Sequence, residues 1–326
     1  MLRYLLRRLL LLVPLLVGVA VLGFVLVKLA PGDPVQVLVG DYPAPPSYVA
    51  AVRERYGLDR PVWVQLARYL GEVFRGNLGH SFFYNEPVLR VLLARLGPTL
   101  ILMGAALLLA SVAGILLGVA CGRRPRSLVD QVLMVAGLVG YSLPVFWLGQ
   151  LLIMGLALKL GWFPTQGMQS IAVRLTPLER ALDVLHHLAL PAVTLATRYL
   201  ALNMRLMRAS LVAVERMEYL MTARAKGLAD RVVVYKHALR NALLPVVTLM
   251  GLNVGHLVAG AVLTETVFAW PGVGRLIFDA TLHRDYPVVL GGLLLVSVCV
   301  VVGNLLADLA CALIDPRIRL PGRGEP

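Results

Sequence analysis

Charge is scarce in this chain. Asp, Glu, Lys and Arg make up 15% of its 326 residues, and 59% are hydrophobic. Soluble domains average about 25% charged residues, so an ordinary water-soluble fold is not expected. Cysteine is scarce too: Cys121, Cys299 and Cys311 lie in or beside apolar runs, and no CxxC pair occurs. That pattern supports neither a thiolate metal centre nor a disulfide framework, and the three read as buried thiols. No GxxxxGK(S/T) stretch is present, and the Gly-rich turn Pro271 to Arg275 lacks the Lys-Ser or Lys-Thr that phosphate binding needs. The chain is therefore not expected to bind ATP itself. The absence of GxSxG, HExxH and paired carboxylates removes the hydrolase readings. His186-His187 has the donor atoms for a metal, but no Cys or carboxylate motif surrounds it; an interfacial, solvated pair is the expected reading. The net charge of +13 comes without zinc-finger spacing or an RNA-binding signature, which excludes nucleic acid as the expected partner.

Long apolar runs are what the chain has. Leu9 to Val27 is preceded by Arg3, Arg7 and Arg8 and is long enough to cross a bilayer core of about 30 Å at roughly 1.5 Å per residue. No A-x-A site follows, so an uncleaved helix is expected in place of a signal peptide. Further runs cover Thr99 to Val119, Val132 to Leu158 with Pro144 inside, Leu188 to Arg208, Ala242 to Thr264 and Val288 to Ala307. The expected fold is all-α and membrane-integral: six transmembrane helices, with an external α-rich insertion between the first two. The expected divisions are 1–30 as the first helix, 31–98 as the insertion, 99–314 as a five-helix core and 315–326 as a tail. Gly114-x-x-x-Gly118 suits close helix packing.

Six spans put both termini on one side. That side then holds 17 of the 31 Lys and Arg, all in short segments. Positive short loops mark the cytoplasm. Within this set, residues 215–240 stand out as both basic and helix-like, with Arg216, Arg224, Lys226, Arg231, Lys236 and Arg240. Gly227 divides the stretch. Tyr219, Thr222 and Lys226 share a helical face before it, and Asp230 is suited to cap a second helix after it. A basic loop of this kind can also bind anionic membrane lipid.

The segment Glu218-Tyr-Leu-Met-Thr-Ala-Arg-Ala-Lys-Gly227, with His237-Ala-Leu-Arg-Asn-Ala-Leu-Leu-Pro245, resembles the coupling loop of ABC importer permeases, in particular the dipeptide, oligopeptide and nickel branch. The general importer motif begins Glu-Ala-Ala six residues before its Gly. Met221 stands at that start here, and Ala223 is the position that matches; the distance from Gly227 to Leu244-Pro245 is also longer. Both departures are usual in the peptide branch. Gly57-Leu-Asp-Arg-Pro-Val-Trp-Val-Gln65, Gly76-Asn-Leu-Gly79, Glu265 to Arg275, Arg284-Asp-Tyr-Pro-Val288 and Asp315-Pro-Arg-Ile-Arg319 extend the resemblance over nearly the whole chain. It implies a permease subunit in a bacterial cytoplasmic membrane, with no cofactor of its own. The implied partners are a second similar permease, two ATPase subunits that bind ATP and Mg, and an external binding protein. It also implies that Tyr219, Thr222, Ala223, Arg224, Ala225, Lys226 and Gly227 contact an ATPase. The cargo can be dipeptide, oligopeptide, nickel or another small solute. A stand-alone secondary transporter is the rival class, but it needs inverted repeats and intramembrane acids that are not evident here.

Four residues are candidates for a translocation pathway. Asn253 and His256 lie at i, i+3 in the fifth run, and Arg198 and Asn203 lie in the fourth. Arg198 is near the middle of its run, whereas Arg205 and Arg208 can snorkel to the cytoplasmic surface. An uncompensated central Arg costs at least about 2.5–3.5 kcal/mol, so it faces either the pathway or an acid on a partner subunit.

Overall fold

The computed structural model describes residues 2–29, 45–47, 50, 59–170 and 175–314; the side chains of 2–9, 252–260, 307–308 and 310–314 lie outside the description. The described residues are helical apart from turns and one isolated bridge between His80 and Pro87. The elements are α1 (Leu2–Leu29), α2 (Val62–Phe74), α3 (Val88–Arg123), α4 (Leu128–Ser142), α5 (Val145–Leu152), α6 (Pro177–Glu215), α7 (Glu218–Ala225), α8 (Asp230–Val232), α9 (Leu239–Val267), α10 (Val273–Leu282) and α11 (Tyr286–Ile314). Two π-helical stretches, Ile153–Lys159 and Val233–Ala238, continue α5 and α8.

Among the described residues three helices are long and apolar enough to cross a membrane: Leu10–Leu29, Val88–Arg123 and Tyr286–Leu306. The pair Leu128–Ser142 and Val145–Lys159 makes a fourth if taken as one span, and it bends by 107°. The bend falls where expected, because Pro144 has no N–H to continue the ladder of α4. The fourth expected run lies inside α6, where Arg198, Asn203 and Arg205 dilute the apolar character. Two helices start earlier than their apolar runs. α3 begins at Val88, not near Thr99, and runs through Pro98. α6 begins at Pro177, well before its apolar run opens at Leu188, because Thr176 and Glu179 form a reciprocal capping box with Pro at the first position. The short helix expected around Tyr48 to Tyr56 lies largely outside the described residues, as does the tail 315–326.

The chain divides into two compact units, residues 98–271 with the chain from 300 onward, and residues 2–97 with 272–299. In the first unit α6 is the central strut. Along α3, Gly114, Gly118 and Gly122 lie against Asn203, Met207 and Leu211 of α6, so closely that a Cβ on Gly118 would stand 2.6 Å from Met207 Cβ. On another side Gly137 and Gly140 of α4 meet Met204 and Thr197. The small residues let backbones approach, as the 114–118 spacing implies. Leu102, Ala106, Leu195, Tyr199 and Trp270 close one core cluster of this unit. The second unit is built on Val88, Leu92, Val273, Leu276 and Val288. There buried Asp285 accepts from Ser81 Oγ and from the Phe83 amide.

Candidate functional site

The stretch after α6 folds as two short helices laid against the end of the bundle. Leu220, Val233 and Ala238 are fully buried on Met207, Leu211 and Val214 of α6 and on Val119 of α3. That apolar anchor fixes the inner side of the stretch. α7 ends in a Schellman arrangement: Gly227 N donates to Arg224 O at 2.9 Å and Leu228 N to Ala223 O at 3.4 Å. Gly227 takes φ +76°, a left-handed conformation that Gly adopts without the steric cost of a Cβ. The expected division at Gly227 is therefore a true helix stop.

The restart differs from expectation. Ala229 is the N-cap of α8, and Asp230 is its first residue. The Asp230 carboxylate instead meets Arg123 and Arg224, each at 3.7 Å. Position one still favours an acid beside the helix N-terminus. Arg123 also reaches Tyr235, donating to its hydroxyl at 3.5 Å with the guanidinium 5.7 Å from the ring centre. Tyr219 accepts from Asn241 Nδ2 at 2.8 Å, and Thr222 donates to Glu218 O. Nearby, burial pushes the Glu215 carboxyl above the usual carboxylate range.

The outer side is left open. Arg224, Ala225, Lys226 and Gly227 are exposed, and Ala223 is half-buried. Met217, Met221, Leu228 and Tyr235 are exposed among them, Met221 at 63%. Basic side chains interleaved with flexible thioethers make a surface suited to another protein.

The four pathway candidates do not form one cluster in the described residues. Arg198 is exposed on α6, its guanidinium 5.1 Å from the Tyr141 ring centre on α4. Asn203 is buried and faces α3, donating to Ala110 O at 3.2 Å, with its Oδ1 unpartnered. Asn253 and His256 lie in α9, and their side chains are outside the description. Sequence reasoning missed two features. Tyr141 was not singled out, although it stands three residues before Pro144. Asp130, which lies between the second and third apolar runs, is buried and binds Arg208 through both oxygens, the Nη2 bond being 2.7 Å. Arg208 therefore does not simply snorkel to the surface. His186 meets Trp162 O at 2.8 Å and His187 meets Asp183 O at 2.8 Å, so backbone carbonyls engage both rings.

A multi-helical membrane chain with an anchored, outward-facing basic helix pair has the form of a transport-system membrane component. Residues 114–320 match the family described as binding-protein-dependent transport system inner membrane component, and residues 1–103 match its N-terminal counterpart. The chain is 43% identical to a di/tripeptide transport system permease protein, DppB, of Pseudomonas aeruginosa, covering 98% of this chain and 99% of that one. It is 40% identical to the oligopeptide transport system permease protein AppB of Bacillus subtilis, over 97% and 98%. It is 41% identical to the dipeptide transport system permease protein DppB of Escherichia coli K12, over 98% and 99%. The chain belongs to the binding-protein-dependent transport permease family: it is a multi-pass inner-membrane permease component and not a catalytic enzyme.

Proposed function

We propose that this chain is one permease subunit of an ATP-driven importer of dipeptides or oligopeptides, and that residues 215–240 are where ATP hydrolysis is felt. On this reading α1, α3, the bent α4–α5 pair, α6, α9 and α11 are the six spans, both termini and the 215–240 stretch lie in the cytoplasm, and 31–98 lies outside. A second similar permease completes the pathway. Two ATPase subunits bind ATP and Mg, and an external binding protein delivers cargo. The peptide class rests on relatives carrying peptide names over nearly their full length.

The observation that carries the coupling role is the two-sidedness of α7. Leu220 is fully buried in the chain's own bundle, while Met221, its immediate neighbour, is 63% exposed beside Arg224 and Lys226. A docked ATPase that moves α7 therefore pulls directly on α6 and α3 through Leu220. Alternating access follows when these helices shift together. The test is uptake by the assembled complex carrying Met221→Asp, or Arg224→Glu with Lys226→Glu. ATP-dependent uptake should fall at least about tenfold, as for loss of an interface anchor, while the chain still inserts. Unchanged uptake would remove the docking role. Uptake that falls with the paired charge reversal but not with Met221→Asp would favour a lipid-binding loop.

A further inference from the structure

α6 carries three arginines along its cytoplasmic half, and the structure treats them differently. Arg208 is neutralised by Asp130 through two hydrogen bonds. Arg198 and Arg205 are both exposed, and among the described residues neither meets an acid. They stand seven residues apart, so they share one helical face and are separated by roughly 10 Å along the axis. The rest of the circumference is taken. Asn203, Met204 and Met207 pack on the glycines of α3, and Thr197, Ala201 and Met204 pack on Gly137 and Gly140 of α4. The fold thus supplies an acid for one arginine of the helix and leaves a two-cation face bare, within a run otherwise apolar enough to lie in a membrane. Such charges face water or an anion.

We propose that Arg198 and Arg205 form a two-step ladder for the C-terminal carboxylate of a transported peptide. The proposal rests on the peptide-importer reading above. Arg198 is the outer step. Its guanidinium lies over Tyr141, which leaves its N–H edge free to grip a carboxylate in two parallel bonds. Tyr141 closes α4 just before the 107° bend, so the step sits where the helix wall breaks. Arg205 is the inner step, one handover nearer the cytoplasm. Two sites of like charge allow a carboxylate to pass on without being trapped at either, because occupancy of a single deep site would slow release.

The test uses the assembled complex in proteoliposomes, with alanyl-phenylalanine and its C-terminal amide each presented as a preloaded binding-protein complex. In the wild type the free acid should be taken up faster than the amide. In Arg198→Gln and in Arg205→Gln, free-acid uptake should fall about tenfold, the scale of losing a charged hydrogen bond, with amide uptake unchanged. Arg198→Lys should retain part of the preference. Equal loss for acid and amide, or loss for neither, would overturn the ladder. A complex that dissociates in Arg198→Gln but holds together in Arg198→Lys would also overturn it, making Arg198 half of an ion pair between subunits. A wild type that takes up neither peptide would instead overturn the importer reading, and the ladder with it.

Discussion

Two carboxylates show how single residues hold the bundle and the loop before α6. Asp130 stands in the first turn of α4, bound to the Arg126 amide and to Arg208 of α6. Removing one partner leaves a buried charge alone, which costs about 3–5 kcal/mol. Arg208→Gln should therefore lower the thermal stability of the purified complex sharply, and adding Asp130→Asn should restore part of it. A single variant as stable as wild type would show the pair to be dispensable. Asp183 works differently. It accepts from the Ser170 amide at 2.7 Å and from Ser170 Oγ at 2.8 Å, and these bonds hold its carboxyl below the usual aspartate range. A lowered folded pKa means that the anchor is fully present above the ordinary aspartate pKa. It is lost as pH falls through the lower, folded value. The exchange protection factor of the Ser170 amide should therefore stay high at neutral pH and drop only in strong acid; Asp183→Asn should lower it at all pH values.

At the scale of elements, glycine spacing and helix stops decide what packs where. A Cβ added at Gly118 would stand 2.6 Å from Met207 Cβ and 2.7 Å from Met204 O, whereas one added at Gly104 on the same helix would have nothing within 4 Å. Gly118→Ala should cost roughly 1–3 kcal/mol through overpacking, and Gly104→Ala should leave stability unchanged or slightly raised, since Ala favours helix. Thermal unfolding of the two variants compares them directly. Much of this level was legible in the sequence: the 114–118 spacing, the stop at Gly227 and the interruption at Pro144 all act through backbone geometry that a residue type carries with it. The early starts of α3 and α6 were not legible from apolar runs, because a helix extends past its membrane-like part wherever a cap or a polar turn permits. The capping box at Thr176 and Glu179 was the signal available for α6. The Asp130–Arg208 pair was invisible, since it joins residues 78 positions apart and neither motif nor period links them. Asn203 illustrates the same limit: polarity within an apolar run is readable, but which neighbour it faces depends on how α3 lies against α6.

For the whole molecule, exposed apolar side chains on α1 and α3, such as Leu22 at 60% and Leu108 at 65%, need lipid or a partner to cover them. The proposed orientation places Ser47 outside and Ala229 inside. After replacement of the native cysteines, Ser47→Cys should react with an impermeant thiol reagent in intact cells and Ala229→Cys should not; the reverse pattern would invert the topology. The account turns most on the engagement of α7 with an ATPase. A photo-crosslinking amino acid at position 221, irradiated in the assembled transporter in native membranes, tests that contact directly. The account predicts an adduct between this chain and an ATPase subunit, with a yield that changes when ATP is added. A complex that transports normally yet gives no ATPase adduct from position 221 would contradict it.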